Sequence, residues 1–509
     1  MQTPINIRAA HGFVTPIVLV TLIGIALAKS HVYRVYGGYV DRVDHTQFAT
    51  GVERLVITDV SVLSPDGESM LNKRTVVIDN GEILSISRDE MAPEGARVID
   101  GHGRFLAPGL IDSHVHLRKQ PNDLLLYVAN GITHVRDLAG SKGDLSLREE
   151  AENGRISPRI YVASPLLFSA GPIRGWANSF IGPRKNVHSA KRAPKVVQSL
   201  VDQGYDALKT YANIDMESYR AVNAAAAKLG IPTVGHLPFD ATLDELPITQ
   251  QREIAHIEEI IKPLQKEYAA LGRSDYAENF PNFVSERADE IIDDLLANDI
   301  TVNSTLWLSE VIGEQAFGLE DALRRLPLEY ANPAMVEGSP YVKTVGWLPG
   351  HNEFEQPADT SPEKRERIER NWAARAEAHR VLFRKMVERK VRIIAGTDAT
   401  SHLTIAGFSL HDELESLTRN GMTPAQAIRA ATRTPSHVMK TNAGTIEVGR
   451  RADLVLLSAN PLEDIHNTTT IDAVVLGGRW LDRARLDAIL TAVKTAHAAS
   501  RNFDLSDYR

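Results

Sequence analysis

At 509 residues the chain exceeds the size at which a single hydrophobic core stops growing, so one large catalytic domain with appendages, or two to three domains, is expected. A hydrophobic content of 43% and a charged content of 24% are those of a globular soluble protein and exclude disordered and multi-span membrane classes. The net charge of −8 does not supply the basic surface that nucleic acid requires, and the absence of cysteine removes disulfides and thiolate metal sites, so a metal here must be held by histidine, carboxylate or a modified lysine.

In chain order the first element is the apolar, uncharged run from Phe13 to Ala28, closed by Ala26-Leu27-Ala28. Its length falls short of the roughly 20 residues of a spanning helix. The small-x-small ending suits a signal peptidase site, whereas Lys29, Arg34 and Arg42 beyond it suit an uncleaved anchor. Residues 1–28 therefore read as a signal peptide or a membrane anchor. Either way the catalytic part is expected to be exported, periplasmic or extracellular, with membrane association through residues 13–28 left open. Residues 29–51 read as a linker.

Alternating runs at Leu55–Val60 and Thr75–Ile78, the latter followed by the turn Asp79-Asn80-Gly81-Glu82, predict strands of a small antiparallel sheet. The same texture returns at Ala452–Leu457 and Asp472–Gly478. Segments 52–107 and 441–483 are thus expected to form a composite β-sandwich bracketing residues 108–440. In that middle region eight apolar runs alternate with helical stretches: Gly109–His116, Ile132–Leu138, Arg159–Pro165, Ala207–Tyr211, Pro232–Leu237, Ile254–Ile260, Thr301–Leu308 and Val391–Asp398. Helix candidates between them include Val196–Gln203 and the alanine-rich Met216–Leu229, stopped by Gly230. The pattern predicts an α/β protein with a (β/α)8 barrel. The stretch of about 309–390 is too long for an ordinary connection and reads as a structured insertion over the barrel mouth. Residues 484–509 read as a C-terminal helical tail.

Active sites of such barrels lie at the C-terminal ends of the strands. There the sequence places His114 and His116 on the first run, Lys209 on the fourth, His236 on the fifth, His256 on the sixth and Asp398 on the eighth. With 17 histidines in the chain, chance alone supplies about 0.6 His-x-His pairs, so the first pair means little by itself. Placement carries the argument, because residues at the ends of neighbouring strands converge on one point.

These residues sit in the phrases Ala107-Pro108-Gly109-Leu110-Ile111-Asp112-Ser113-His114-Val115-His116, Gly131-Ile132-Thr133-His134-Val135-Arg136-Asp137, Asp206-Ala207-Leu208-Lys209-Thr210-Tyr211, Val234-Gly235-His236-Leu237-Pro238, Ile254-Ala255-His256-Ile257-Glu258-Glu259, Ala395-Gly396-Thr397-Asp398-Ala399 and Gly449-Arg450-Arg451-Ala452-Asp453-Leu454-Val455. Over roughly residues 52–483 the sequence resembles the amidohydrolase superfamily, specifically its imidazolonepropionase-like and prolidase-like branch. The resemblance implies the barrel, the split β-sandwich and a two-metal site. His114, His116 and Asp398 would hold the first metal, His236 and His256 the second, and Lys209 would bridge them as a carbamate. A free ammonium cannot ligate, whereas reaction with carbon dioxide converts it into an anionic oxygen donor.

Such ligands suit two zinc ions best, with manganese, cobalt and iron left open. A bridging water would become a hydroxide nucleophile for a carbon–nitrogen, amide or peptide-like bond in a small substrate, and Asp398 would pass its proton to the leaving amine. Tyr211 is a candidate donor to the substrate, with a packed barrel tyrosine as the alternative. Arg136 and Asp137 read as a salt bridge, Glu258 and Glu259 as helix-start or surface charges, and His134, His188, His351, His402 and His411 as non-ligands. After the third run the sequence Ser169–Trp176 lacks the Gly-Gly-His expected of prolidase-like members. Dipeptidase specificity therefore does not transfer directly, and Arg174 and Trp176 are the candidates to fill that place. Hydrolysis of an ester, lactone or phosphoester at the same site, a non-catalytic exported binding protein, and a homo-oligomer stay open.

Overall fold

The computed structural model describes residues 23–508 apart from residues 36, 89–90, 119, 172–173, 176–177, 179–181 and 343–344. The part of the apolar N-terminal run at 13–22 lies outside the described residues; residues 23–35 are helical. Among the described residues no helix is long and apolar enough to cross a membrane.

The first strands are β1 (Leu55–Leu63), β2 (Met70–Asp79), β3 (Glu82–Ser87), β4 (Arg97–Asp100) and β5 (Phe105–Pro108). β1 and β2 pair antiparallel from Leu55 opposite Ile78 to Leu63 opposite Met70. On its other edge β1 pairs in parallel with β4 through its first half and with β5 through its second.

Ten strands follow, all pairing in parallel: β6 (Leu110–Val115), β7 (Ile132–Asp137), β8 (Arg159–Val162), β9 (Leu166–Phe168), β10 (Arg184–Asn186), β11 (Leu208–Thr210), β12 (Thr233–Gly235), β13 (Glu253–Ile254), β14 (Thr301–Asn303) and β15 (Ile393–Ile394). They form a sheet of order β6-β7-β8 and a sheet of order β10-β9-β11-β12-β13-β14-β15. Isolated parallel bridges, Ala163 with Ala207 and Val115 with Ala399, link the two sheets at both edges of the smaller one. Each of the eight apolar runs contains a strand, but the strands are shorter. The run Ile254–Ile260 keeps only its first residue in β13, and its end opens the helix Glu258–Ala270.

Helices separate the strands. Met216–Leu229 is capped by Asp215, which accepts from Ser218 N, and ends at Gly230 with φ 69°. Between β14 and β15 lie the helices Leu306–Arg324, Pro333–Glu337 and Pro362–Glu388. The last of these lies along Tyr276–Ala297, with Lys385 to Asp289 at 3.0 Å and Arg389 to Asp293 at 2.6 Å. It also buries Ala378, Leu382, Phe383 and Met386 in the main core. That helix flanks the strands, so the part standing over their ends is the stretch before residue 362. There Leu308, Val311, Val336 and Trp347 form a separate small core with Leu403 and Ile405.

The chain returns to its first sheet with β16 (Leu454–Leu457), β17 (Ile471–Leu476) and β18 (Arg479–Asp482), of which β16 pairs antiparallel with β5 from Leu454 opposite Pro108 to Leu457 opposite Phe105. One eight-stranded sheet, in the order β18-β17-β16-β5-β1-β2-β3 with β4 on β1, is thus assembled from both terminal segments. The helix Arg483–Ser500 follows and packs on Pro121–Ala129.

Candidate metal centre

β6 is buried along its whole length, and alternation turns Asp112, His114 and, just beyond the strand, His116 to one side. Asp398 follows β15 in a left-handed conformation, φ 58°, and its N–H donates to His114 O at 2.7 Å. Its Oδ1 then lies 3.1 Å from His114 Nε2 and 2.8 Å from His116 Nε2, with Ser401 Oγ donating to Oδ2 at 2.7 Å. Gly396 makes this approach possible: a Cβ there would stand 2.7 Å from His114 Cβ and 2.6 Å from Asn303 Oδ1.

The remaining candidates close around this group. Lys209, 1% exposed on β11, brings Nζ to 3.4 Å from His114 Nε2. The His256 ring is 4.6 Å from that of His114, and the His236 ring is 5.0 Å from that of His256. All six predicted ligand residues are therefore brought together. Tyr211 stands beside them, its ring 4.8 Å from that of His236.

Hydrogen bonds settle which ring atoms are bare. His114 Nδ1 faces Ala255 O at 3.2 Å, and a carbonyl only accepts, so Nδ1 carries the proton and Nε2 presents a lone pair. His236 Nδ1 likewise faces the Glu259 carboxylate at 3.2 Å. His256 Nδ1 meets Thr305 Oγ1 at 2.9 Å. Burial drives His114 well below its usual value, with the Lys209 charge assisting, and pushes His256 down to about 3. Burial also lowers Lys209 to about 8. Asp398 goes the other way: burial opposes its ionisation, but His114 and His116 outweigh it and hold the carboxyl far below the usual range.

The donor set fits a divalent cation. One ligand atom from each of His114, His116 and Asp398 lies within 4.8 Å of the others. Asp398 Oδ1 is buried, and His114 Nε2 and His116 Nε2 both stand within 3.1 Å of it, so ring nitrogens and a carboxylate oxygen face one point.

Several supporting residues escaped the sequence reading. Glu259 is no surface charge: it is 2% exposed, accepts from Leu237 N at 3.0 Å and pairs with Lys262 at 2.7 Å. Burial resists its ionisation, but His236 and Lys262 prevail and hold its carboxyl well below the usual range. Its place three residues past His256, at the start of a helix, is the signal that could have flagged it. Arg136 does not pair with Asp137; both its terminal nitrogens meet Glu253, and Nε donates to Ser113 O at 2.7 Å, bracing the strand beside His114. Asp112, two residues before His114, accepts from His114 N, Thr397 N and Thr397 Oγ1, tying β6 to the segment bearing Asp398. The buried Glu413 accepts from Ser304 Oγ, Leu306 N and Trp307 N, which fixes Thr305 in a left-handed conformation, φ 40°, beneath His256. No local signal announces Glu413.

The other histidines lie elsewhere. His134 is 3.9 Å from Asp453, His188 meets Ala170 O, His402 faces Glu353, and His411 sits between Thr468 and Asn130. His351 is outside the ligand group as well.

Residues 341–481, which include Asp398, β16, β17 and all but the last residue of β18, match the model of the amidohydrolase family. The structure is similar to a putative prolidase from Bifidobacterium longum, with a TM-score of 0.61 and 20% identity over 87% of this chain and 99% of that one. It is also similar to a bottromycin amidohydrolase, with a TM-score of 0.63 and 21% identity over 92% of this chain and 96% of that one. The match to the amidohydrolase family thus lies in the last third of the chain, and the fold as a whole is that of these two structures. Among curated relatives, a dihydroorotase from Anaeromyxobacter dehalogenans (strain 2CP-C) is 36% identical over 77 residues, 15% of this chain and 18% of its own length. The chain thus matches less than a fifth of that relative's length. Its distinctive stretch after β8 holds an exposed Arg174, while Trp176 lies outside the described residues.

Proposed function

We propose that this chain is a binuclear metallohydrolase of the amidohydrolase superfamily that cleaves an amide or peptide-like carbon–nitrogen bond in a small substrate. The observation that carries the proposal is the convergence of His114 Nε2 and His116 Nε2 on Asp398 Oδ1, with Lys209, His256 and His236 packed around them. The likeness to proteins named amidohydrolase and prolidase supports the bond type. The two parallel sheets and their linking bridges support a closed (β/α)8 barrel over residues 108–440, with the insertion of about 309–390 above its mouth. The joint sheet of both termini supports a composite β-sandwich of 52–107 and 441–483, and the helix Arg483–Ser500 supports a helical tail from residue 484 onward.

His114, His116 and Asp398 would hold one divalent metal, His236 and His256 the other, and Lys209 would lie between them as a carbamate. Zinc suits this set best. When bound, the metals supply an acidified water and a polarised substrate carbonyl. The chain supplies the rest. Ala255 O and Glu259 fix the tautomers of His114 and His236, and Thr305 holds His256. Asp398, steadied by Ser401, takes the proton from the attacking water and delivers it to the leaving amine. Tyr211, beside His236, donates to the substrate carbonyl or carboxylate.

Turnover of N-acyl amino acids and Xaa-Pro dipeptides, with and without added zinc, tests the reading; failure on every carbon–nitrogen bond sinks it. Metal analysis is expected to find about two ions per chain, with one lost in Lys209→Ala.

A further inference from the structure

The polypeptide enters the body on the face where the strands end. Residues 37–43 cross the loop that follows His116: Asn122 Nδ2 donates to Asp41 O at 2.9 Å, and Val43 N donates to Asn122 Oδ1 at 3.0 Å. From the stretch above the strand ends, Asn332 Nδ2 donates to Gly37 O at 3.4 Å, and Met335 Sδ meets Gln120 Nε2 at 2.8 Å. The second half of the helix at 23–35 then rests on that same stretch. His31 Nε2 lies 2.9 Å from Ser339 Oγ, its ring meets Tyr341 at 5.1 Å, and Arg34 faces Glu337 at 3.9 Å.

The first half of the helix is uncovered. Ile23 is 50% and Leu27 65% exposed; Tyr39 at 59% and Tyr341 at 82% share a groove with Leu27, and Val342, next to Tyr341 in the chain, is 46% exposed. A groove of about 850 Å³ lined by Leu27, Tyr39, Pro340 and Tyr341 runs between helix and loop. Water disfavours such a patch in proportion to its apolar surface. Upstream the sequence continues apolar and uncharged from Leu22 back to Phe13, while Lys29, Arg34 and Arg42 follow it. A lipid bilayer matches this chemistry: an apolar interior for the run, and an interface where a tyrosine keeps its ring apolar and its hydroxyl wet, while Arg34 and Arg42 are engaged within the chain by Glu337 and the Tyr33 hydroxyl.

We propose that residues 13–28 anchor the chain in a lipid bilayer and that the rim bearing Tyr39, Tyr341 and Val342 lies in its headgroup layer, so that the mouth of the candidate metal centre faces the membrane. The proposal stands on the position of the mouth and is independent of which bond is cleaved there. The sheet of both termini lies at the opposite end, because β5 runs directly into the beginning of β6.

The sequence contains no cysteine, so the single-cysteine variants Tyr341→Cys, Tyr39→Cys and Val98→Cys of the full chain each carry one nitroxide. Val98, 52% exposed on β4, reports the distant end. With the protein reconstituted in phosphatidylcholine–phosphatidylglycerol vesicles, the ratio of oxygen to water-soluble nickel collisions is expected to be several-fold higher at 341 and 39 than at 98. Equal ratios at all three positions overturn the proposal. A label at 341 or 39 shielded from both agents also overturns it, since that marks a second copy or another protein on the patch. So does an intact mass showing that the chain recovered from expressing cells begins at Lys29.

Discussion

The two halves of the ligand set are held in different ways. His114, His116 and Asp398 are placed by main chain: His116 N–H donates to Ala399 O, Asp398 N–H to His114 O, and Val115 pairs with Ala399. His236 also hangs on main chain, its N–H donating to Thr210 O, but the rings of His236 and His256 are oriented by side chains, Glu259 with Lys262 behind one and the helix cap Thr305, beside the Glu413-bound Leu306 N–H, behind the other. A position set by strand pairing tolerates change around it, whereas one set by a side-chain hydrogen bond is lost with a single substitution. The first half is thus a product of the fold and the second an addition to it.

Substitution tests this contrast. The largest effect is expected for Asp398→Asn, which removes both a candidate ligand and the proposed proton carrier: kcat is expected to fall by about 10²–10⁴-fold, while circular dichroism stays that of the parent because the main-chain bonds remain. Glu259→Gln comes next. It weakens binding of the second metal by about 10–100-fold and leaves the first unchanged, read by titrating metal into the apo-protein; equal loss at both sites would erase the distinction.

The smallest effect is a pH dependence. Burial raises Glu413 from its ordinary 4.5 to about 7, so the folded protein binds its proton more tightly than the unfolded chain does. Its contribution to stability is fully present below about pH 4.5 and is lost as pH rises through about 7. Urea midpoints at both ends of that window should fall with rising pH in the parent and fall less in Glu413→Gln.

The strands were legible because strands of parallel sheets, buried on both faces, read as unbroken apolar runs. Their ends were not, since nothing in Ile254–Ile260 marks where β13 stops and a helix begins. β10, Arg184–Asn186, escaped notice because it is short and polar. The six candidate ligands were readable from placement at or just beyond the strand ends together with the family phrases that carry them. Their supports were not: Arg136 finds Glu253, and Glu413 finds Ser304 and Leu306, across more than a hundred residues with no local pattern joining them.

The pairing of β5 with β16 has a consequence for how the molecule is made. Leu106 cannot meet Leu456 until the intervening polypeptide has been synthesised, so the sheet of both termini stays open on the ribosome and one edge of β5 is unpaired throughout. Folding of that sheet is necessarily a late event. Until β16 arrives, the unpaired edge of β5 is an open template for another strand, which makes the interval before the last strands emerge the one in which the molecule is most exposed to mispairing.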